Sequence, residues 1–161
     1  MDEKINWVRA DNLHLTLRFL GKTNSSDIPK IKIALQKTIE NIGAFIIESG
    51  KIGIFGSKHA PKVIWLEIKS NGILEEIEKK LSHELEKAGF ERDNQNFVAH
   101  LTLGRIPGKL KSQKYFQSVI DNHQNALSLR EKTESVFLFS SRLTPEGPKY
   151  YSEMILNFLH K

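Results

Sequence analysis

Apolar positions along this chain change period several times, and each change predicts an element. INWVR and NLHLTLRFL, within residues 5–20, alternate as strand material around a polar break at Ala10-Asp11-Asn12. Residues 21–26 read as a turn. Ile28, Ile31, Ala34, Leu35 and Ile39 then keep helical spacing behind Asp27 and Pro29, predicting a helix over 27–41 that Gly43 ends. GAFIIESGKIGIF returns to alternation. A basic loop over 56–62, holding Lys58, His59 and Pro61, leads to a strand over 63–68, most simply antiparallel to the one before. Ile73, Leu74, Ile77, Leu81, Leu85 and Ala88 make the clearest helical stripe, beginning near Asn71 and stopped by Gly89. The polar run GFERDNQNF connects it to a strand, FVAHLTLGRI, broken by Pro107-Gly108. A basic turn over 109–112 precedes a helix over 113–123 with Phe116, Val119 and Ile120 inward. Two last strands, SVFLFSSRL and KYYSEMILNFL, are joined by residues 144–148.

Helices do not alternate one-for-one with strands in this order, so a mixed α+β fold is expected rather than a doubly wound parallel sheet. The 161 residues suit one domain, 1–161, made of two closely joined lobes.

One phrase occurs twice in the pattern: His14-Leu15-Thr16-Leu17 and His100-Leu101-Thr102-Leu103. In a strand, His and Thr share one face and the two Leu the other. The likeness continues, as HLTLRFLGK and HLTLGRIPGK, each running into Gly and Lys as if a strand ended in a basic turn. Two such strands facing each other would bring two imidazoles and two hydroxyls around one space. A half-exposed sheet face with no chemistry is the plain alternative for either copy alone.

Composition narrows the chemistry. Apolar and charged fractions of 39% and 27% are ordinary for a globular protein, and the absence of Cys excludes disulfides and thiolate chemistry. No apolar run reaches the roughly 20 residues of a membrane helix, and MDEKINW has no signal-peptide core; a cytoplasmic location is expected. The net charge of +5 favours an anionic partner such as a nucleic acid or a phosphorylated small molecule. No metal-ligand spacing, glycine-rich nucleotide loop or serine-nucleophile motif is present, so neither metal nor cofactor is expected.

Histidine titrates near neutrality, so one of a pair can act as base while the other acts as acid. Each Thr, about 6–7 Å along its strand from the His, could donate to a non-bridging phosphate oxygen. The pattern suggests in-line phosphoester chemistry without a metal. Arg18 shares the parity of His14 and Thr16, whereas Arg105 reaches the face of His100 only through a bulge, for which Gly104 is suited. By parity alone, each arginine is equally a phosphate clamp or a solvated strand end. His59 could border a substrate groove; His83 and His160 read as solvated, and Trp65 as core.

The paired H-x-T-x strands, NLHLTLRFLG and HLTLGR, resemble those of the 2H phosphoesterases, in particular the bacterial and archaeal RNA 2′,3′-cyclic phosphodiesterases often labelled 2′-5′ RNA ligases. Trp7-Val8, PKVIWLEI and SRLTPEGPKY extend the likeness over nearly the whole chain. The resemblance implies two pseudo-symmetric lobes of mainly antiparallel sheet, with outer helices, around a central cleft. It implies metal-independent opening of a 2′,3′-cyclic phosphate to a 2′-phosphomonoester, on RNA 3′ ends or cyclic nucleotides. His14 then matches the proton donor to the leaving 3′ oxygen and His100 the base that activates water. Thr16 and Thr102 match phosphate-oxygen ligands, and Arg105 a phosphate-contacting arginine, ahead of Arg18.

Family members usually begin with an R-x-F-x-A strand and a helix ahead of the Trp that matches Trp7, and this sequence starts just before that Trp. An incomplete sheet edge would invite self-association. Two other functions stay open at this point: RNA end joining by the reverse reaction, and a non-catalytic module that binds RNA or nucleotide phosphates.

Overall fold

The computed structural model describes residues 4–57, 60–124, 127–145 and 147–159. In chain order the elements are β1 (Asn6–Trp7), α1 (Ile28–Ile39), β2 (Phe45–Ser57), β3 (Ala60–Lys69), α2 (Ile73–Lys87), β4 (His100–Arg105), α3 (Gln113–Asn122), β5 (Arg130–Thr133), β6 (Ser135–Thr144) and β7 (Gly147–Asn157). Five strands form one sheet in the order β1-β4-β3-β2-β5, and β6 pairs with β7 separately. β1 with β4, β4 with β3, β3 with β2 and β6 with β7 all run antiparallel. This is the mixed α+β class expected from the pattern.

The chain divides into two units, neither continuous in sequence. The first holds residues 1–16, 47–70 and 98–131. Its β3 alternates as the sequence predicts: Ile64, Leu66 and Ile68 are buried, while Val63, Trp65 and Glu67 between them are half-buried. Ile64 clusters with Ile106, Phe116 and Ile120, and Ile5, Ile52, Ile54, Leu103 and Leu110 pack on that cluster. Burying each such side chain contributes roughly 1.5–3 kcal/mol. The cluster therefore fixes which face of β3 and β4 turns inward, and it leaves the opposite face for polar groups.

The second unit holds residues 17–46, 71–97 and 132–161. α1 and α2 pack on each other here, burying Ile31, Ala34, Leu35 and Ile39 from one helix and Leu74, Ile77, Leu81 and Leu85 from the other. Gly89 ends α2 as predicted, at φ +92°. The amide of Phe90 donates to the Leu85 carbonyl and that of Gly89 to the Glu86 carbonyl, both at 3.0 Å. That pair of bonds satisfies the helix's last carbonyls and fixes where the following loop departs.

Three local expectations are corrected. Residues 13–20 are not a continuous strand: a short 3-10 turn at Ala10–Asn12 interrupts the alternation, and only Leu15 bridges, to Leu101. Two steps on, Leu17 would need a partner at residue 99, where β4 has not yet begun. The basic loop over 56–62 shrinks to a tight hairpin, because Gly56 pairs with Pro61 and Ser57 with Ala60. Lys58, His59 and His160 lie outside the described residues. β5 has no strand signature in its own sequence, Arg-Glu-Lys-Thr; it takes strand form as the neighbour of β2 in the sheet.

Candidate active site

Both His-Leu-Thr stretches of the repeated motif fall in the first unit, where they meet as neighbours along β4. β1 starts this contact, with Asn6 opposite Arg105 and Trp7 opposite Gly104, and the Val8 amide donates to the Leu103 carbonyl at 2.9 Å. After the 3-10 turn the chain returns to β4 at the antiparallel bridge between Leu15 and Leu101. Residues opposite one another in such a pair point to the same face, and their neighbours to the other. The register therefore sets His14 across from Thr102 and Thr16 across from His100. The two imidazoles lie on a diagonal, about 7–8 Å apart at the backbone, with a hydroxyl beside each.

The two histidines make the same local bond. His14 Nδ1 lies 2.7 Å from the Asn12 carbonyl oxygen, and His100 Nδ1 2.7 Å from that of Val98. A carbonyl only accepts, so Nδ1 carries the proton and donates in both cases. Nε2 is then the nitrogen left to take up and release a proton on each ring. His14 and Thr16 are exposed, and His100 and Thr102 half-buried.

β4 also carries the bulge that Arg105 needs. Trp65 pairs with Thr102, but Ile64 pairs with Gly104, so Leu103 is an extra residue on β4. The slip reverses the alternation. Arg105 comes opposite Val63 and hence onto the face of Trp65, Thr102 and His100. Gly104 itself is buried, and a Cβ there would lie 2.9 Å from Ile5 Cγ2 and 3.0 Å from Trp7 Cε3.

Arg18 behaves differently. Once the chain leaves strand form after Leu15, parity no longer governs its direction. Its Nη2 donates to the Glu91 carbonyl at 2.6 Å, and its Nη1 lies 3.3 Å from an Asp93 carboxylate oxygen. Those partners belong, with Arg18, to the second unit. The guanidinium is engaged by these two loop groups.

The sequence reading missed the surroundings of His100. Trp65 stacks on Phe55, with ring centroids 4.9 Å apart at 23°. The His100 ring meets Phe55 edge-on at 4.9 Å and Trp65 at 6.1 Å. Gly53 makes room for the indole, since a Cβ there would lie 2.4 Å from Trp65 Cζ2. Glu67, opposite His100 on the same face, accepts from the Lys51 amide at 3.1 Å. The signal was available: Trp65 shares parity with Glu67, not with the apolar Ile64, Leu66 and Ile68. Of the other histidines, His123 Nδ1 donates to the Val119 carbonyl at 2.8 Å, at the end of α3, and His83 is exposed on α2. Among the described residues no three His, Asp or Glu side chains gather as a metal site, and no helix is long and apolar enough to cross a membrane.

A sheet face with two His/Thr pairs and an arginine defines a site suited to a phosphoester, and the comparisons agree in class. The model of the LigT-like phosphoesterases matches residues 2–65. An RNA 2′,3′-cyclic phosphodiesterase of Methanothermobacter thermautotrophicus is 30% identical over 149 residues, covering 92% of this chain and 80% of that protein. One of Thermotoga maritima is 31% identical over 144 residues, covering 89% and 74%. Among solved structures, the protein TT0787 of Thermus thermophilus superposes with a TM-score of 0.76 at 21% identity, over 96% of this chain and 82% of that one. E. coli LigT complexed with 3′-AMP gives 0.69 at 19%, over 94% and 80%. The chain belongs to the LigT-like phosphoesterase family.

Proposed function

We propose that the protein is a metal-independent phosphodiesterase that opens 2′,3′-cyclic phosphates, at RNA 3′ ends or on nucleotides, to 2′-phosphomonoesters. The observation that carries this reading is the Leu15–Leu101 bridge, whose register pairs each histidine with the other motif's threonine. The names of the relatives support the substrate.

In this mechanism His100 Nε2 takes a proton from water as its oxygen attacks phosphorus. The bond from phosphorus to the 3′ oxygen breaks, and His14 Nε2 delivers a proton to that oxygen. The product keeps the phosphate on the 2′ oxygen. A diagonal pair suits this displacement, because the entering and leaving oxygens lie on opposite sides of phosphorus. Thr16 and Thr102 donate to the non-bridging oxygens, and Arg105 supports the charge that builds there.

Incubation with 2′,3′-cyclic AMP in EDTA should yield 2′-AMP. Formation of 3′-AMP, or loss of activity to EDTA, would overturn the mechanism. The roles separate by pH: the base must start unprotonated and the acid protonated. Residual kcat/KM of His100→Ala should lose the acidic limb of its pH profile, and that of His14→Ala the alkaline limb.

A further inference from the structure

The tail of the first motif copy, Arg18-Phe19-Leu20-Gly21-Lys22, does not end in a simple basic turn. With residues 88–93 and Gln95 it lines a cavity of ≈ 720 Å³ in the second unit. That is within the size range of small-ligand pockets. We propose that this cavity is a nucleotide subsite, which takes a nucleotide of single-stranded RNA. The proposal rests on the phosphodiesterase reading for the nature of the substrate.

Arg18 builds the walls. Its side chain is only 9% exposed, and its bonds to the Glu91 carbonyl and Asp93 tie the loop after the motif to the loop after α2. Its Nε is buried with no hydrogen-bond partner, and its Nη1 is held by the ion pair to Asp93. The Asp93 carboxylate offsets the charge of this buried cation, so Arg18 fixes the wall and the cations open to an anionic ligand lie elsewhere in the lining.

The remaining lining suits a nucleotide. Phe19 is 76% exposed, an open ring face of the kind on which bases stack. Asp27 is paired with Lys30 at 2.9 Å and Asp93 with Arg18, so two of the three lining carboxylates are already matched. Lys22 makes no ion pair among the described residues, and Arg92 reaches Glu86 only at 3.6 Å with its side chain 77% exposed. These two cations can turn to a phosphate, with Glu91 limiting the site to one or two.

The test compares 2′,3′-cyclic AMP with a short oligoadenylate ending in a 2′,3′-cyclic phosphate. Phe19→Ala, and separately Lys22→Ala with Arg92→Ala, should raise KM for the oligonucleotide about tenfold and leave the mononucleotide unchanged. The double variant should also flatten the salt dependence of oligonucleotide binding, by about 0.7 in log–log slope for each cation lost. Equal effects on both substrates, or no effect on either, would refute the subsite. Anisotropy with a fluorescent 3′-phosphorylated oligoadenylate separates this from failure of the activity. If wild type turns over neither substrate the phosphodiesterase reading falls by itself, and the subsite is judged by binding. Wild-type affinity in all variants would refute it, and about tenfold weaker binding would support it.

Discussion

The two copies of His-Leu-Thr-Leu share a hydrogen bond and differ in nearly everything that supports it. His100 sits in a strand paired on both sides, under Phe55 and Trp65, with its ring set by the Val98 carbonyl. His14 sits on an irregular arm that touches β4 through two residues of β1, the Val8 amide and one bridge, and its ring is set by the Asn12 carbonyl. The bond from Nδ1 to the carbonyl two residues back is local and survives both settings. Strand form is not local; it follows from whether a partner is present.

The largest expected effects test whether the copies are equal in chemistry despite that difference. His14→Ala and His100→Ala should each lower turnover of 2′,3′-cyclic AMP by about 10²–10⁴. Wild-type rates in either variant would break the pairing. Arg105→Ala should cost less, about 10–100-fold in kcat/KM, as for a lost charged hydrogen bond, and Lys should recover only part of it. Wild-type kinetics in Arg105→Ala would remove that residue from the site.

Next come changes that favour one copy over the other. Gly53→Val pushes on the indole beside His100 and should destabilise the fold by about 1–3 kcal/mol, read as a Tm fall of several degrees. Gly104→Ala pushes instead on Ile5 and on Trp7, which is 63% exposed and can swing aside. It should reduce turnover by about 2–5-fold, as a small register disturbance does, with Tm almost unchanged. A large Tm loss here would mean that the arm is as firmly built as β4.

The smallest effect belongs to Glu84, on neither copy. Lys87 donates to it at 2.7 Å and holds its carboxyl below the ordinary carboxylate range. A depressed value means that the pair stabilises above the unfolded-state value and is lost as pH falls through the folded one. Because the Lys87 end of the pair is open to solvent, Glu84→Gln should shift Tm by no more than about 1 °C, at neutral pH or in acid.

Much of this molecule was legible in its residues. The stripes of α1 and α2, the alternation of β3 and the stop at Gly89 depend on nearest neighbours and on burial, and they appear as the pattern predicts. The bulge beside Gly104 stood in the sequence only as a condition, the one by which Arg105 could reach the face of His100, and Leu103 meets it. Arg18 could not be placed, since its direction depends on where a strand runs out of partner. Phe55, Trp65 and Gly53 escaped for a related reason: a ring lying over a neighbouring strand is a property of register, which no single segment records.

The slender attachment of residues 5–16 also bears on heat and on time. An element whose backbone, among the described residues, meets β4 at so few points opens more readily than the sheet it rests on. Inactivation on warming should therefore precede the loss of β-structure, and amides near Val8 and Leu15 should exchange with deuterium sooner than those of β3. The protein would then idle in a folded but catalytically silent form, recovering as soon as the arm re-lies along its strand.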